Sequence, residues 1–381
     1  MSEKIKLGEL GEIVSGSTPK TNIKEYWDGE ILWITPAEIQ EDNYYIADTQ
    51  RKITNLAVEK TNLKLLPKGT VLLSSRAPIG KVAICDNDMY CNQGFKNIIC
   101  SDRLENRYVY YFLKHNVEYI KSLGRGATFK EISKGIVESL EIPYREKKEQ
   151  IEIANKLDKI TEILKIRRQQ IKQFDEIIKS QFVEMFKNEK YPKKTLCELT
   201  DKITDGSHNP PTGIAENQGY MMLSSQNIIN NSINYDNVRY LKKEDFEKEN
   251  RRTDLQKGDV LLTIVGTVGR TAIMTEESNI VLQRSVAVIK PNKEINSAYL
   301  VGALNSESVI NQLNKGAKGV AQKGIYLNDL KKIIIKVPPI ELQNQFADIV
   351  KQIDKQKFES MIKAKKEIEK IPKNIFYKWG R

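Results

Sequence analysis

Sliding the 381-residue sequence along itself brings it into register with a second copy of its own pattern. A repeat of this length constrains the fold more than composition can, because each copy must bury its own core or lean on its twin. Leu66-Pro67-Lys68-Gly69-Thr70-Val71-Leu72-Leu73-Ser74, followed by Gly80-Lys81-Val82-Ala83-Ile84, returns as Leu255-Gln256-Lys257-Gly258-Asp259-Val260-Leu261-Leu262-Thr263, followed by Gly269-Arg270-Thr271-Ala272-Ile273. At the same spacing Leu7-Gly8-Glu9-Leu10 pairs with Leu196-Cys197-Glu198-Leu199, and Trp33-Ile34-Thr35 with Met222-Leu223-Ser224. At a slightly longer spacing Gly126, Ile132 and Ala154 pair with Gly319, Ile325 and Ala347.

Each copy reads as a globular half closed by a long heptad-patterned segment. Short apolar runs between breakers predict strands, Thr70 to Ser74 and Lys81 to Ile84 among them, and helical patterns intervene at Arg107 to Ser122 and Ser297 to Leu313. That mixture predicts an α+β fold. In the first heptad segment apolar residues fall at Ile153, Leu157, Ile160, Leu164, Ile171, Phe174, Ile178, Phe182 and Met185, with Arg167 on the seam. In the second they fall at Phe346, Val350, Ile353, Met361, Ala364, Ile368, Ile371 and Ile375, with Lys357 on the stripe and Pro372 placed to end or kink the helix. At about 1.5 Å per residue each helix extends roughly 55 Å, too far to bury its stripe on one small domain. Antiparallel pairing of the two helices answers this, with the globular halves held apart at opposite ends; the alternative is that each helix packs on its own domain. The predicted domains are therefore residues 1–146 and 191–338, and the helices 147–190 and 339–381.

Composition excludes several chemistries. Two histidines, His115 and His208, leave little for a histidine-based metal cluster or a Cys/His nucleophile. The four cysteines, Cys85, Cys91, Cys100 and Cys197, lack CxxC spacing and suit buried thiols in a reducing cytoplasm. Acidic residues form no cluster at metal-site spacing, so no bound metal is expected. The apolar run Val260 to Gly269 is far too short to span a membrane, and a soluble, cytoplasmic protein is expected. A formal net charge of +11 favours a polyanionic partner. Asn209-Pro210-Pro211-Thr212 imitates the adenine methyltransferase tetrad, but Thr212 cannot stack on a flipped base and no Gly-rich cofactor loop accompanies it. Gly80-Lys81-Val82 likewise fails the nucleotide-binding Walker pattern.

A twice-repeated α+β domain plus long helix closely resembles the specificity subunit of type I restriction-modification systems. The resemblance spans nearly the whole chain. It rests on the Lys-Gly-x-Val-Leu-Leu strand openers at Lys68 to Leu73 and Lys257 to Leu262 and on the Gly-rich turns after them. Asp205-Gly206-Ser207-His208 looks like the family's Asp-Gly-Thr-His opening, and Pro338-Pro339-Ile340-Glu341-Leu342-Gln343 resembles its Pro-Pro-x-x-Glu-Gln lead-in. Departures are mild: Ser207 replaces Thr, Pro143-Tyr144 stands where the second copy has Pro338-Pro339, and Leu342 stands opposite Glu149.

The resemblance implies two pseudo-repeated target-recognition domains separated by two antiparallel coiled-coil helices, in a subunit without catalysis of its own. Each domain would read one half of a split, asymmetric double-stranded DNA target. Two modification subunits would dock on it to methylate adenine, and restriction subunits would add ATP-dependent cleavage; S-adenosylmethionine, ATP and Mg belong to those partners. The helix flanks carrying Lys165, Arg167, Arg168, Lys172 and Lys179 are the expected docking surface. A free-standing architectural or regulatory DNA-binding protein is the competing reading.

DNA contact needs cations for phosphates and flexible donors at base edges, best offered on Gly-loosened loops. In the first half Arg76, Lys81, Gln93, Arg125, Thr128 and Lys130 meet that description. In the second half His208, Thr267, Arg270, Gln283, Arg284, Lys318, Gln322 and Lys323 do so.

Overall fold

A computed structural model describes residues 3–40, 44–126, 130–188, 190–275, 279–317 and 324–369. The chain divides into two compact units, one of residues 1–167 with 363–381 and one of residues 168–362.

The first unit centres on a five-stranded sheet, ordered 11–15, 96–100, 71–73, 82–85, 45–46. A second, three-stranded sheet of the same unit is ordered 51–53, 27–34, 90–91. The central strands Val71–Leu73 and Val82–Cys85 are buried along their whole length, as continuous apolar runs between turns require. Residues Leu7 to Leu10 form one short helical turn whose two leucines are fully buried.

The second unit repeats this plan. Its four-stranded sheet runs 200–205, 286–291, 260–263, 271–273, with a three-stranded companion of 239–240, 221–223 and 280–282. Leu196 and Leu199 are fully buried where Leu7 and Leu10 were. In both units the strand that opens the domain pairs antiparallel with the strand that precedes the long helix: Lys4–Lys6 with Glu141–Pro143, and Lys193–Thr195 with Ile334–Lys336.

The two predicted mid-domain helices are each broken at equivalent places. Asn106–His115 gives way to Val117–Ser122 at Asn116, and Ser297–Leu304 to Glu307–Gly316, where Ser306 accepts the Val309 N–H as an N-cap. Small polar residues that cap a helix better than they continue it end each first segment.

The long helices span Lys147–Met185 and Ile340–Glu369. Each begins beside a buried glutamine that fastens it to its domain. Gln150, fully buried, accepts the Glu105 N–H at 2.8 Å and donates to the carbonyls of Arg103 at 2.9 Å and Arg145 at 2.8 Å. Gln343, equally buried, accepts the Asn296 N–H at 2.9 Å and donates to the carbonyls of Glu294 at 3.1 Å and Pro338 at 2.8 Å. A tyrosine repeats too: Tyr108 donates to the Pro143 carbonyl at 2.8 Å and Tyr299 to that of Lys336 at 2.7 Å.

The apolar stripes do not serve a single partner: packing on a domain and antiparallel pairing of the helices each hold over part of the length. Ile153, Leu157 and Ile160 join the core of the first unit. Within the second unit Phe182 packs on Tyr299 and on Phe346, with ring centroids 5.5 and 5.4 Å apart. Further along, Lys357 Nζ lies 2.6 Å from Asp175 and Ser360 Oγ donates to Gln170 at 3.2 Å, so there the helices run antiparallel. Lys357, an intruder on the sequence stripe, is accommodated because Asp175 and Asp354 both face it. Ile371, Pro372 and Ile375 lie outside the described residues. Of the cysteines, Cys85 and Cys91 are buried, Cys100 is half-buried and Cys197 is exposed, contrary to the reading that all four suit burial.

Candidate nucleic-acid interface

Each unit builds the same loop frame from different residues. In the first, the Ser74 hydroxyl donates to the Pro78 carbonyl at 2.7 Å and accepts the Lys81 N–H at 2.8 Å, while the Gly80 N–H donates to the Ser74 carbonyl at 3.0 Å. In the second, the Thr263 hydroxyl donates to the Thr267 carbonyl and accepts the Arg270 N–H at 2.9 Å, while the Gly269 N–H donates to the Thr263 carbonyl at 2.9 Å. A hydroxyl in the middle of each turn replaces the main-chain partners the turn lacks. Gly80 and Gly269 close these turns at φ of 94° and 100°, a region that disfavours a Cβ.

Main-chain bonds tie two more loops to each turn, and a third loop to the strand that leads into one of those two. Ser75 N–H donates to Gly94 O at 2.8 Å, Ile132 N–H to Ser75 O at 3.0 Å, and Ser17 N–H to Cys91 O at 2.9 Å. The second unit repeats these as Ile264 to Ser285 at 2.9 Å, Ile325 to Ile264 at 2.9 Å, and Ser207 to Leu282 at 2.7 Å. Gly16 and Gly206 permit the last of these contacts, since a Cβ on either would stand 2.1 Å from a carbonyl oxygen, that of Asn92 or Leu282. Because the frame uses backbone atoms, its side chains are left to vary.

The sequence candidates distribute over this frame. Arg76 is partly exposed, Gln93 is exposed and accepts the Thr18 hydroxyl, and Arg125 and Lys130 are exposed. Lys81 turns inward instead and donates to the Pro36 carbonyl at 2.9 Å. In the second unit Thr267, Arg270 and Arg284 are exposed, and Gln283 is half-buried with its N–H donated to Leu223 O at 2.8 Å. His208 is exposed, its Nε2 2.9 Å from Asp205 Oδ2. Thr128, Lys318, Gln322 and Lys323 lie outside the described residues. On the first long helix Lys165, Arg168, Lys172 and Lys179 are exposed on one side and Arg167 is half-buried.

Two clusters escaped sequence reasoning. Arg252, at the end of the helix Lys243–Thr253, donates to the Asp205 carbonyl at 2.9 Å, pairs with its carboxylate, and stands 3.4 Å from His208 Nε2. It therefore joins the Asp205 to His208 loop, which only the adjacent pair Arg251-Arg252 hinted at. In the first unit the buried Lys96 reaches Glu131, which also faces Arg76. Among the described residues no three Cys, His, Asp or Glu side chains gather as metal ligands, and no helix is long and apolar enough to cross a membrane.

A family model described as the type I restriction modification DNA specificity domain matches this chain twice, over residues 2–174 and 181–370. The chain belongs to this family. The two matches fall on the two copies of the repeat, so this is a type I specificity subunit carrying two DNA-recognition domains. The specificity subunit of the MjaIX enzyme of Methanocaldococcus jannaschii is 42% identical over 186 residues, which is 48% of this chain and 42% of that relative. The MjaVIII specificity subunit of the same organism is 25% identical over 98% of this chain and 90% of its own length. In fold, the type I S subunit from M. genitalium superposes with a TM-score of 0.55 at 16% identity, covering 100% of this chain and 96% of that one. A chain from a study of type I complex assembly and conformational transition gives 0.53 at 17%, covering 99% and 97%.

Proposed function

We propose that this specificity subunit reads double-stranded DNA with both loop frames, one half of a bipartite, asymmetric target to each, and performs no catalytic step itself. One observation carries the reading: the same hydrogen-bonded frame presents Arg76, Ala77 and Pro78 in one unit and Val265, Gly266 and Thr267 in the other. Fixed backbone with exchanged side chains is what reading two different base sequences requires, since phosphates repeat and base edges differ. The net charge of +11 supports a polyanionic partner.

Two modification subunits dock along the long helices, where Lys165, Arg167, Arg168, Lys172 and Lys179 lie, and methylate adenine N6. Restriction subunits add ATP-dependent cleavage, and S-adenosylmethionine, ATP and Mg are bound by these partners in the cytoplasm. Support comes from the relatives, which are named as specificity subunits of type I restriction enzymes.

Methylation sequencing of cells expressing this chain with its modification subunits tests the reading. A bipartite adenine-methylated motif that disappears on deletion of this chain is expected; a contiguous motif, or none, refutes it. Arg270→Ala should weaken DNA binding and lower the salt slope by about one, whereas unchanged affinity removes that loop from the interface. Deleting residues 147–190 should abolish co-purification of the modification subunit, and full retention contradicts helix docking.

A further inference from the structure

The two loop frames differ most in what lies beneath the turn. In the first unit that floor is charged. Lys96 is 8% exposed, and its Nζ donates to Ser75 Oγ at 3.4 Å and to Glu131 Oε1 at 3.2 Å. The other Glu131 oxygen lies 3.8 Å from Arg76 Nη1. Arg76 and Arg125 each bridge Glu131 through the backbone, and Arg125 exchanges N–H···O bonds with it at 3.0 and 2.9 Å. Glu131 is thus fixed by its main chain on one side and by a buried cation on the other.

Among the described residues of the second unit nothing equivalent lies beneath the turn. Sheet register places Ala287 where Lys96 stands, opposite the last residue of the opening sheet strand in each case. The bridge between Arg76 and Glu131 is matched by one between Val265 and Gly324. Beneath the turn, the ion cluster of the first frame is replaced by a backbone contact between uncharged residues in the second, whose own ion cluster, Arg252 with Asp205 and His208, sits at the end of its opening sheet strand.

The chemistry of that cluster favours one kind of ligand. A carboxylate beside an arginine repels phosphate, so Arg76 is poorly built as a phosphate clamp. A base edge is neutral and rewards orientation instead of net charge. Guanidinium offers donors only, and with Nη1 turned toward Glu131 the remaining N–H groups can meet two acceptors side by side. Guanine presents such a pair, O6 and N7, in the major groove; adenine presents one acceptor and one donor there. Lys96 cannot reach DNA from its buried place.

We propose that Arg76 reads a guanine in the first half-target and that Glu131, anchored by Lys96, is the positioning residue that aims it, while Val265 at the matching place in the second unit has no side-chain donor with which to read one. This rests on the DNA-reading function proposed above. The test uses the full chain assembled with its modification subunits, as wild type, Glu131→Gln and Arg76→Ala. The methylated motif is mapped first, and binding is then measured on duplexes altered one base pair at a time. Wild type should discriminate at one G·C pair of the first half by about tenfold or more. Glu131→Gln and Arg76→Ala should each lose most of that discrimination while keeping wild-type preference throughout the second half. Glu131→Gln retaining full discrimination at every first-half position overturns the proposal, as does a loss spread evenly over both halves or a first half without a required guanine. A wild-type complex with no bipartite preference would instead sink the DNA-reading function together with it.

Discussion

Replacing Gln343 by leucine isolates the device that fastens the second long helix to its domain. The side chain is fully buried and makes three hydrogen bonds, all to main-chain groups distant from the helix interior. Leucine is close to glutamine in size, so little cavity forms, and the cost falls on the stranded Asn296 N–H and the carbonyls of Glu294 and Pro338. Each buried group left unpaired costs about 1–3 kcal/mol, and carbonyls tolerate the loss better than the N–H, which sets the expected destabilisation at about 3 kcal/mol. For a unit of this size that lowers the melting temperature by roughly 6–12 °C. Differential scanning calorimetry of the full chain reads the shift, and hydrogen exchange at Asn296 localises it. Gln150→Leu strands an equivalent set in the first unit, the Glu105 N–H and the carbonyls of Arg103 and Arg145, and should cost about as much there. A melting temperature changed by less than about 2 °C in Gln343→Leu, with Asn296 still protected, refutes the reasoning.

Thr263→Val removes the hydroxyl staple of the second turn, and Ser74→Ala that of the first; each should cost about 1 kcal/mol, read by denaturant unfolding, and should leave the other unit's transition unmoved. Gly206→Ala forces a Cβ against the Leu282 carbonyl and should cost at least 1–3 kcal/mol by the scale of overpacked sites, roughly; a neutral result in thermal melts would mean the close approach relaxes freely. Burial pushes the Cys91 and Cys100 thiols up to about 12. In the unfolded chain they ionise from about pH 9 while the folded state keeps its protons, so stability is full below that pH and falls above it by about 1.4 kcal/mol per thiol per pH unit. Tyr44 and Tyr111, both raised mainly by burial, add to this loss above about pH 10. The first unit should therefore melt earlier in alkaline circular-dichroism titrations, and Cys91→Ala with Cys100→Ala should reduce the fall between pH 9 and 10, leaving the share of the Cys85 thiol, which burial also raises.

The repeat and the long helices were legible because both are statements about burial, and burial leaves a period in the sequence. Val71–Leu73 and Val82–Cys85 are strands where turns enclose apolar runs, and Lys147–Met185 follows its stripe. A period records that a face is covered, however, without naming what covers it. Ile153 and Leu157 carry the same stripe as Phe182, yet the former enter the core of the first unit and the latter meets Tyr299 and Phe346 in the second. Lys81 and Arg270 align as two exposed basic loop residues, but the carbonyl of Pro36, far upstream, draws Lys81 inward. Nothing local to Lys81 encodes that carbonyl. Gln343 sat in the motif as a letter, and its role depends on the Asn296 N–H and the Glu294 carbonyl contributed from outside it, with the Pro338 carbonyl alone inside.

The same distinction explains why the candidate interface was visible as loops and not as a set of contacts. The frame that joins loops around residues 17, 75, 94 and 132 is made of N–H and C=O groups, which every residue carries and no alignment of side chains displays. Its few sequence requirements are a hydroxyl at Ser74 or Thr263, glycine where φ is positive, and glycine where a carbonyl stands 2.1 Å from a would-be Cβ. Everything else on the loops is released from holding the fold. Where a buried charged side chain lies beneath the turn, as Lys96 does with Glu131 in the first unit, its cost must be offset by something the other unit does not need. A buried cation whose register counterpart in the other unit is Ala287 is not demanded by the shared fold, which makes it a poor candidate for stability and a good one for discrimination between the two halves of a target.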